Sequence, residues 1–406
     1  MSLISNLAGL KGLTNLNGLS SSVYHKVHTT GWMADSAYAA AYRFRDVWRH
    51  ARNWKAKRDN VTAEEIYPIR HLGSIACMVI GVTNICNARC IFCAYPRAVD
   101  NKDLKAGVMP MPLFKRIVDE WVALGGNHID LTHTVGDPLV DPGLVDKVRY
   151  AVREAGIKTL SFTTNGILLN RNDTYKRVID AGVTAIYIST SSTEKESYEK
   201  VYGVKHYDDM ISGVHNLMEY NRSKGEPINI AIRFRNSLKP SEIIRSQDFI
   251  RLIKPYFSAK VRCNFTSDFD NWGGTIKPGD LLGNMKLRRP PERVDLPCRF
   301  LFGYLIRYDG SVRLCGCRFA RSDMDDMVIG NMNQNSLLEL SKSSTAWEII
   351  KGFYSGKRPS TCNQCSLYNP VDRSWFNEKQ ENARSNENRR PVSNAEAAKA
   401  APVLTE

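Results

Sequence analysis

Three cysteines crowd into "CNARCIFC", where Cys86, Cys90 and Cys93 are separated by three and then two residues. Thiolates at that spacing reach one inorganic centre only when the loop wraps around it, as cysteine ligands do for iron-sulfur clusters. A structural zinc site normally takes four protein ligands in a closed tetrahedron, and this loop offers three. On a four-iron, four-sulfide cluster, three thiolates leave one iron open to a substrate or cofactor. The competing assignment is a zinc loop completed by His71 or Cys77.

A second group lies far along the chain: Cys298, then Cys315 after Gly310, then the pair Cys362 and Cys365. By spacing alone these four could hold zinc or an iron-sulfur cluster. The chain has ten cysteines, and in a reducing compartment that number points to metal or catalytic use rather than to disulfides. Cys77 and Cys263 fall inside apolar strand candidates and read as core, and Cys317 reads as a plain buried thiol.

The elements that would carry these residues alternate. Strand candidates are "SIACMVIGVT", "HIDLTHT", "KTLSFTT", "TAIYIST", "NIAIRFR" and "AKVRCNF", and amphipathic stretches such as "MPLFKRIVDEWVALGG" and "YDDMISGVHNLMEYNRSKG" separate them. Parallel neighbours need a crossover, so this rhythm implies an α/β fold with a parallel sheet. Six units are too few for a closed eight-stranded barrel, which leaves an open partial barrel or a doubly wound sheet. The first cysteines sit just past the first strand, at the end of the sheet where α/β folds place ligands.

"CNARCIFC", with the aromatic Phe92 before its last cysteine, resembles the signature of the radical S-adenosylmethionine superfamily. The resemblance implies a partial (β/α)6 TIM-type barrel. It also implies a [4Fe-4S] cluster whose open iron chelates S-adenosyl-L-methionine, and reductive cleavage of that cofactor to a 5′-deoxyadenosyl radical. "VGDP", with Gly136, Asp137 and Pro138, looks like the family's GGEP motif, although Asp replaces Glu and Val135 the first Gly. Asn165 in "TTNG", Ser189 in "YISTSS" and Arg233 on the fifth strand complete the implied cofactor contacts, with a surface salt bridge the equal alternative for Arg233; Ser191 stands where the family often has Asp. Cys298, Cys315, Cys362 and Cys365 are similar to the SPASM or twitch extension of radical enzymes. They imply a second, auxiliary [4Fe-4S] cluster with no open iron, suited to electron transfer.

The implied domains are an N-terminal basic and aromatic helical extension over 1–73, the radical core over 74–285, the SPASM/twitch-like module over 290–372, and a disordered tail over 373–406. The implied activity is a two-electron oxidation or an epimerisation of a sugar-like, small-molecule or lipid-linked substrate, with a reducing partner such as flavodoxin or ferredoxin. A peptide-modifying maturase forming thioether or carbon-carbon crosslinks is a second reading. A non-catalytic iron-sulfur or zinc protein that binds RNA is a third, weakened because the basic residues are spread along the chain with no RNA-binding signature. The net charge of +14 favours anionic partners without choosing among them. No run reaches the 18 or more apolar residues of a membrane span, and "MSLISNLAGLKGLTNLNGL" is too polar for a secretory signal. A cytoplasmic enzyme is expected, with peripheral membrane contact through the helix-like "DSAYAAAYRFRDVWRHARNWKAKR". His133, Asp268 and Asp270 at strand ends are acid-base candidates; the catalytic base itself has no sequence signal.

Overall fold

The computed structural model describes residues 61–71, 78–132, 134–291, 295–315 and 325–387, together with Asp35, Asn53, Ala56 and Asp59. Cys77, His133, Cys317 and nearly all of the aromatic and basic N-terminal stretch lie outside the described residues.

All six expected strands form: β1 (Met78–Ile80), β2 (His128–Asp130), β3 (Thr159–Thr164), β4 (Ala185–Thr190), β5 (Asn229–Arg235) and β6 (Val261–Thr266). They pair in parallel and in chain order. This is the open α/β arrangement of a partial barrel. In β5 the alternation puts Ile230, Ile232 and Phe234 into the core, while Ala231, Arg233 and Arg235 take the other face. The crossover helix Met111–Ala123 buries Phe114, Ile117, Val118 and Trp121, an i, i+3, i+4, i+7 stripe, and Pro112 fits its first turn. Its Trp121 Nε1 also donates to the carbonyl of His128 at 3.1 Å, locking helix to strand. Two helices that periodicity did not single out, Tyr95–Asp100 and Lys195–Tyr202, flank the first cysteine loop.

The C-terminal module does not stand apart from the core. Strand β9 (Tyr304–Ile306) pairs in parallel with β1, then β10 (Ser311–Arg313) and β11 (Val328–Asn331) add antiparallel, so one nine-stranded sheet runs through both regions. Between β6 and β9 lies a two-stranded parallel pair, β7 (Asp268–Phe269) with β8 (Lys286–Leu287). Arg116 Nη1 donates to the Met332 carbonyl at 2.6 Å, and Glu120 Oε2 accepts from the Leu337 amide at 2.6 Å. One crossover helix of the core therefore holds the C-terminal region in place.

The expected disorder after residue 372 is corrected over its first part, because Arg373–Glu387 is helical. Its few large apolar residues suffice, since Trp375 and Phe376 are buried, Trp375 lies 5.0 Å from the Phe302 ring, and Arg373 pairs with Glu65 at 2.5 Å. Among the described residues no helix is long and apolar enough to cross a membrane.

Candidate active site

The triad loop is the link between β1 and helix Tyr95–Asp100, and backbone hydrogen bonds tie it on both sides. Arg89 N donates to Tyr202 O at 2.9 Å, Ile91 N to Val201 O at 3.0 Å, and Asp137 N to Ile85 O at 2.9 Å. On the other flank Asn84 Nδ2 donates to Lys105 O at 2.7 Å and its Oδ1 accepts from Gly107 N at 2.9 Å. A fixed loop can present three thiols to one group without ordering it at the moment of binding.

"VGDP" closes onto this loop. Gly136 has φ of 113°, and a Cβ there would meet Thr83 O at 2.7 Å and Asn84 Cα at 2.9 Å, so the approach requires glycine. Asp137 is buried and its carboxylate accepts from Leu139 N at 2.9 Å, Asn165 N at 2.7 Å and Thr164 Oγ1 at 2.9 Å. Burial raises its pKa, while these bonds work the other way. The side chain is thus spent on joining "VGDP" to "TTNG". Only the backbone of this motif is left for a ligand. Asn165 Nδ2 in turn donates to Asn87 Oδ1 at 2.7 Å and lies 3.9 Å from Cys86 Sγ.

The remaining implied contacts face the same space. Phe92 packs edge-on against Tyr202, with centroids 5.8 Å apart, and Ser189 Oγ is 2.9 Å from Tyr202 OH. Arg233 forms no ion pair among the described residues; its guanidinium lies 3.8 Å from the Tyr187 ring centroid. Ser191 is fully buried, and among the described residues its hydroxyl has no hydrogen-bond partner. Of the acid-base candidates, Asp268 is paired with Arg288 at 3.1 Å and Asp270 accepts from Ser366 Oγ at 2.5 Å, both structural engagements.

Burial, with the Asp137 charge next, pushes the Cys86 thiol up to about 12; burial alone is the main cause that takes Cys93 to about 11, and it carries Cys90 well above its ordinary value. Three mutually close thiols in such a place are poor thiolates on their own. A cationic iron-sulfur core reverses that preference by bonding to the deprotonated sulfur. The donor set therefore fits a cluster.

The second group assembles from distant parts of the chain. Cys298, Cys315, Cys362 and Cys365 line one cavity of ≈ 410 Å³, mouth included, with Phe300, Leu301, Met327 and Tyr368. Burial pushes Cys298 up to about 12 and Cys362 higher still, each with neighbouring cysteines as a further cause. Beside them Arg313 is 0% exposed; Nη1 donates to Cys315 O at 2.5 Å and Nη2 to Asp325 Oδ1 at 3.0 Å. Its Nε is 2.6 Å from Asp325 Oδ2, close enough for ion pairing but without hydrogen-bond alignment. Asp325 also pairs with Arg307. Among the described residues no three His, Cys, Asp or Glu side chains meet as ligands of a single metal ion. In a cluster each thiolate bonds a different iron, so the sulfurs surround the group rather than meeting at a point.

A short segment that sequence reasoning passed over joins the two sites. Trp272 Nε1 donates to Phe92 O at 2.8 Å, inside the first loop, and Asn271 Nδ2 donates to Gln364 O at 2.9 Å, inside the second. Trp272 holds φ of 50°, a left-handed conformation uncommon for a bulky residue. "NWGG" signals a turn and nothing more. Arg235 was also missed, although its period-two spacing from Arg233 puts it on the same face.

Comparison with known proteins agrees with this layout. Residues 80–231 match the Radical SAM superfamily, and residues 298–366 match SPASM, an iron-sulfur cluster-binding domain. The GTP 3′,8-cyclase of Alkaliphilus oremlandii is 28% identical over 176 residues, 43% of this chain and 51% of that protein. Human molybdenum cofactor biosynthesis protein 1 is 31% identical over 147 residues, 36% of this chain and 22% of that protein. The chain thus spans about half the length of the first of these relatives and about a fifth of the second. Among solved structures, BtrN in complex with AdoMet and 2-DOIA aligns with a TM-score of 0.46 and 17% identity, covering 72% of this chain and 92% of that one. Native anSMEcpe with bound AdoMet and Kp18Cys peptide aligns with a TM-score of 0.44 and 14% identity, covering 76% and 96%.

Proposed function

This chain belongs to the radical S-adenosylmethionine superfamily, in the subgroup that carries a SPASM iron-sulfur domain, and from that premise we propose that it removes two electrons from a small-molecule or sugar-like substrate. Membership makes it an enzyme that takes a [4Fe-4S] cluster, S-adenosylmethionine and auxiliary iron-sulfur chemistry. Bound S-adenosylmethionine supplies a hydrogen-abstracting 5′-deoxyadenosyl radical on one-electron reduction.

In this reading Cys86, Cys90 and Cys93 hold the first cluster. The backbone of Gly136 to Pro138 takes the cofactor's amino group, Arg233 its carboxylate, and Asn165, Ser189 and Phe92 its nucleoside end. Cys298, Cys315, Cys362 and Cys365 hold one auxiliary cluster. A two-electron oxidation takes a hydrogen atom, a proton and an electron from the substrate, and a cluster held by these four cysteines would supply an acceptor for that electron. A flavodoxin or ferredoxin provides the first reducing equivalent. The observation that carries this reading is the pairing of an open three-thiol loop with a four-thiol cavity, joined by the Asn271–Trp272 segment. Nucleotide cyclisation is a second reading, favoured by the similarity to GTP 3′,8-cyclases.

The test uses anaerobically purified protein. About eight irons per chain and release of 5′-deoxyadenosine after dithionite reduction support the reading. Zinc in place of iron, or intact clusters without cofactor cleavage, defeats it.

A further inference from the structure

Among the described residues, Arg313 is the one cationic side chain in the wall of the cavity that Cys298, Cys315, Cys362 and Cys365 line. Strand β10 delivers it there, in register with Leu305 of β9 and two residues before Cys315. Its Nη1 donates to the Cys315 carbonyl at 2.5 Å, so the guanidinium is tied to the backbone of a residue that lines the cavity.

The charge around Arg313 does not balance. Arg313 and Arg307 share one carboxylate: Asp325 meets Arg313 through Oδ2 at 2.6 Å from Nε and Oδ1 at 3.0 Å from Nη2, and it also pairs with Arg307. The side chains of Arg313 and Asp325 are 0% exposed and that of Arg307 is 10% exposed. Burial, with the Arg313 charge next, holds Arg307 below its ordinary value despite Asp325. Two other acids reach this region, Asp309 acting on Arg307 and Asp326 on Cys362. Both are exposed, where water weakens their charge, and Asp326 also accepts from Ser360 N at 2.8 Å. Two buried cations on one buried anion leave a positive excess beside the thiols.

Such an excess is costly to bury unless an anion lies near it. A cluster bound by four thiolates is an anion, and reduction adds a further negative charge to it. In a low-dielectric wall a neighbouring cation therefore favours the reduced form, and local charge is one of the levers that set iron-sulfur potentials.

We infer that Arg313, backed by Arg307, raises the reduction potential of the auxiliary cluster and so makes the four-cysteine site an electron acceptor. This rests on the auxiliary-cluster assignment made above and adds the residue that tunes it.

The experiment is an anaerobic redox titration of the iron-loaded full chain, followed by electron paramagnetic resonance. It is done with Cys86, Cys90 and Cys93 replaced by Ala, so that the auxiliary signal stands alone. Arg313→Gln should lower the reduced-to-oxidised ratio at a fixed potential at least about tenfold, a midpoint shift of about 59 mV for one electron. Arg313→Lys, held charged by Asp325, should stay near the unaltered value. Arg307→Gln, whose side chain is not in the cavity wall, should shift the midpoint the same way by less. An arginine with a purely structural role would lower iron content or urea stability without moving the midpoint. An unmoved midpoint in Arg313→Gln that retains its iron, or an equal shift in Arg313→Lys, overturns the inference. Should Arg313→Gln fail to hold iron, Arg307→Gln decides, and an unmoved midpoint there overturns it as well. Zinc in place of iron in the four-cysteine site would instead overturn the preceding reading, and the metal assay tells that result apart from an unmoved midpoint.

Discussion

The two cysteine groups use the same thiol chemistry and are built in opposite ways. The triad comes from one eight-residue stretch, "CNARCIFC", held by backbone bonds to neighbouring loops and surrounded by polar groups such as Asn165, Asp137 and Ser189. The tetrad gathers four sulfurs from residues 298 to 365 around a largely apolar cavity, with the buried Arg313–Asp325–Arg307 cluster behind it. The difference teaches where each site's specificity lies. A three-thiol loop leaves room beside a cluster for a ligand, whereas four thiols from distant parts of the chain would complete a cluster's coordination and favour passing electrons over binding substrate.

The largest expected effect separates the two. Replacing Cys86, Cys90 and Cys93 together by Ala should remove about half the iron and abolish 5′-deoxyadenosine release, read by iron assay and chromatography. Cys362→Ala with Cys365→Ala should remove the other half of the iron yet leave 5′-deoxyadenosine release measurable. Loss of cleavage in that variant too would collapse the distinction between an initiating site and an electron sink.

Next come the polar supports. Arg313→Met strands the Cys315 carbonyl and one Asp325 oxygen while Arg307 still pairs with Asp325, and should destabilise the protein by about 1–3 kcal/mol in urea unfolding. Asp137→Ala strands the donors of Leu139, Thr164 and Asn165 and should cost roughly 2–4 kcal/mol. In Asp137→Asn the carbonyl oxygen still accepts, so its loss should be smaller. If Asp137→Ala lowers cofactor cleavage without lowering stability, the carboxylate touches ligand and the structural assignment is wrong.

The smallest effect concerns the link. Trp272→Phe keeps the ring but removes the donor to Phe92 O, so stability should fall by about 1 kcal/mol. Small changes in the electron paramagnetic resonance signal of the first cluster, with the auxiliary signal unmoved, are expected. Equal changes in both would make the Asn271–Trp272 segment a coupling element rather than a local brace.

Much of this was legible in the chain. All six core strands followed from period-two or continuous apolar runs, and the triad from its tight spacing, because both are local signals that survive without tertiary contacts. The helix Lys195–Tyr202 was not legible, since its buried face is made by three residues, Tyr198, Val201 and Tyr202, against five charged or polar neighbours. Helix Arg373–Glu387 was missed for the same reason: two anchors, Trp375 and Phe376, are enough once a surface exists to receive them.

What the sequence by itself determined is the parallel α/β core and the spacing that singles out two groups of cysteines, because residue type and spacing carry that information. Tertiary structure alone decided that β9 pairs with β1 to join the module to the core, that Asp137 spends its carboxylate on neighbouring backbone, and that Ser189 and Arg233 lie side by side on adjacent strands. Each of these depends on which strands lie side by side, and hydrogen-bond register between segments distant in the chain leaves no trace in the order of residues.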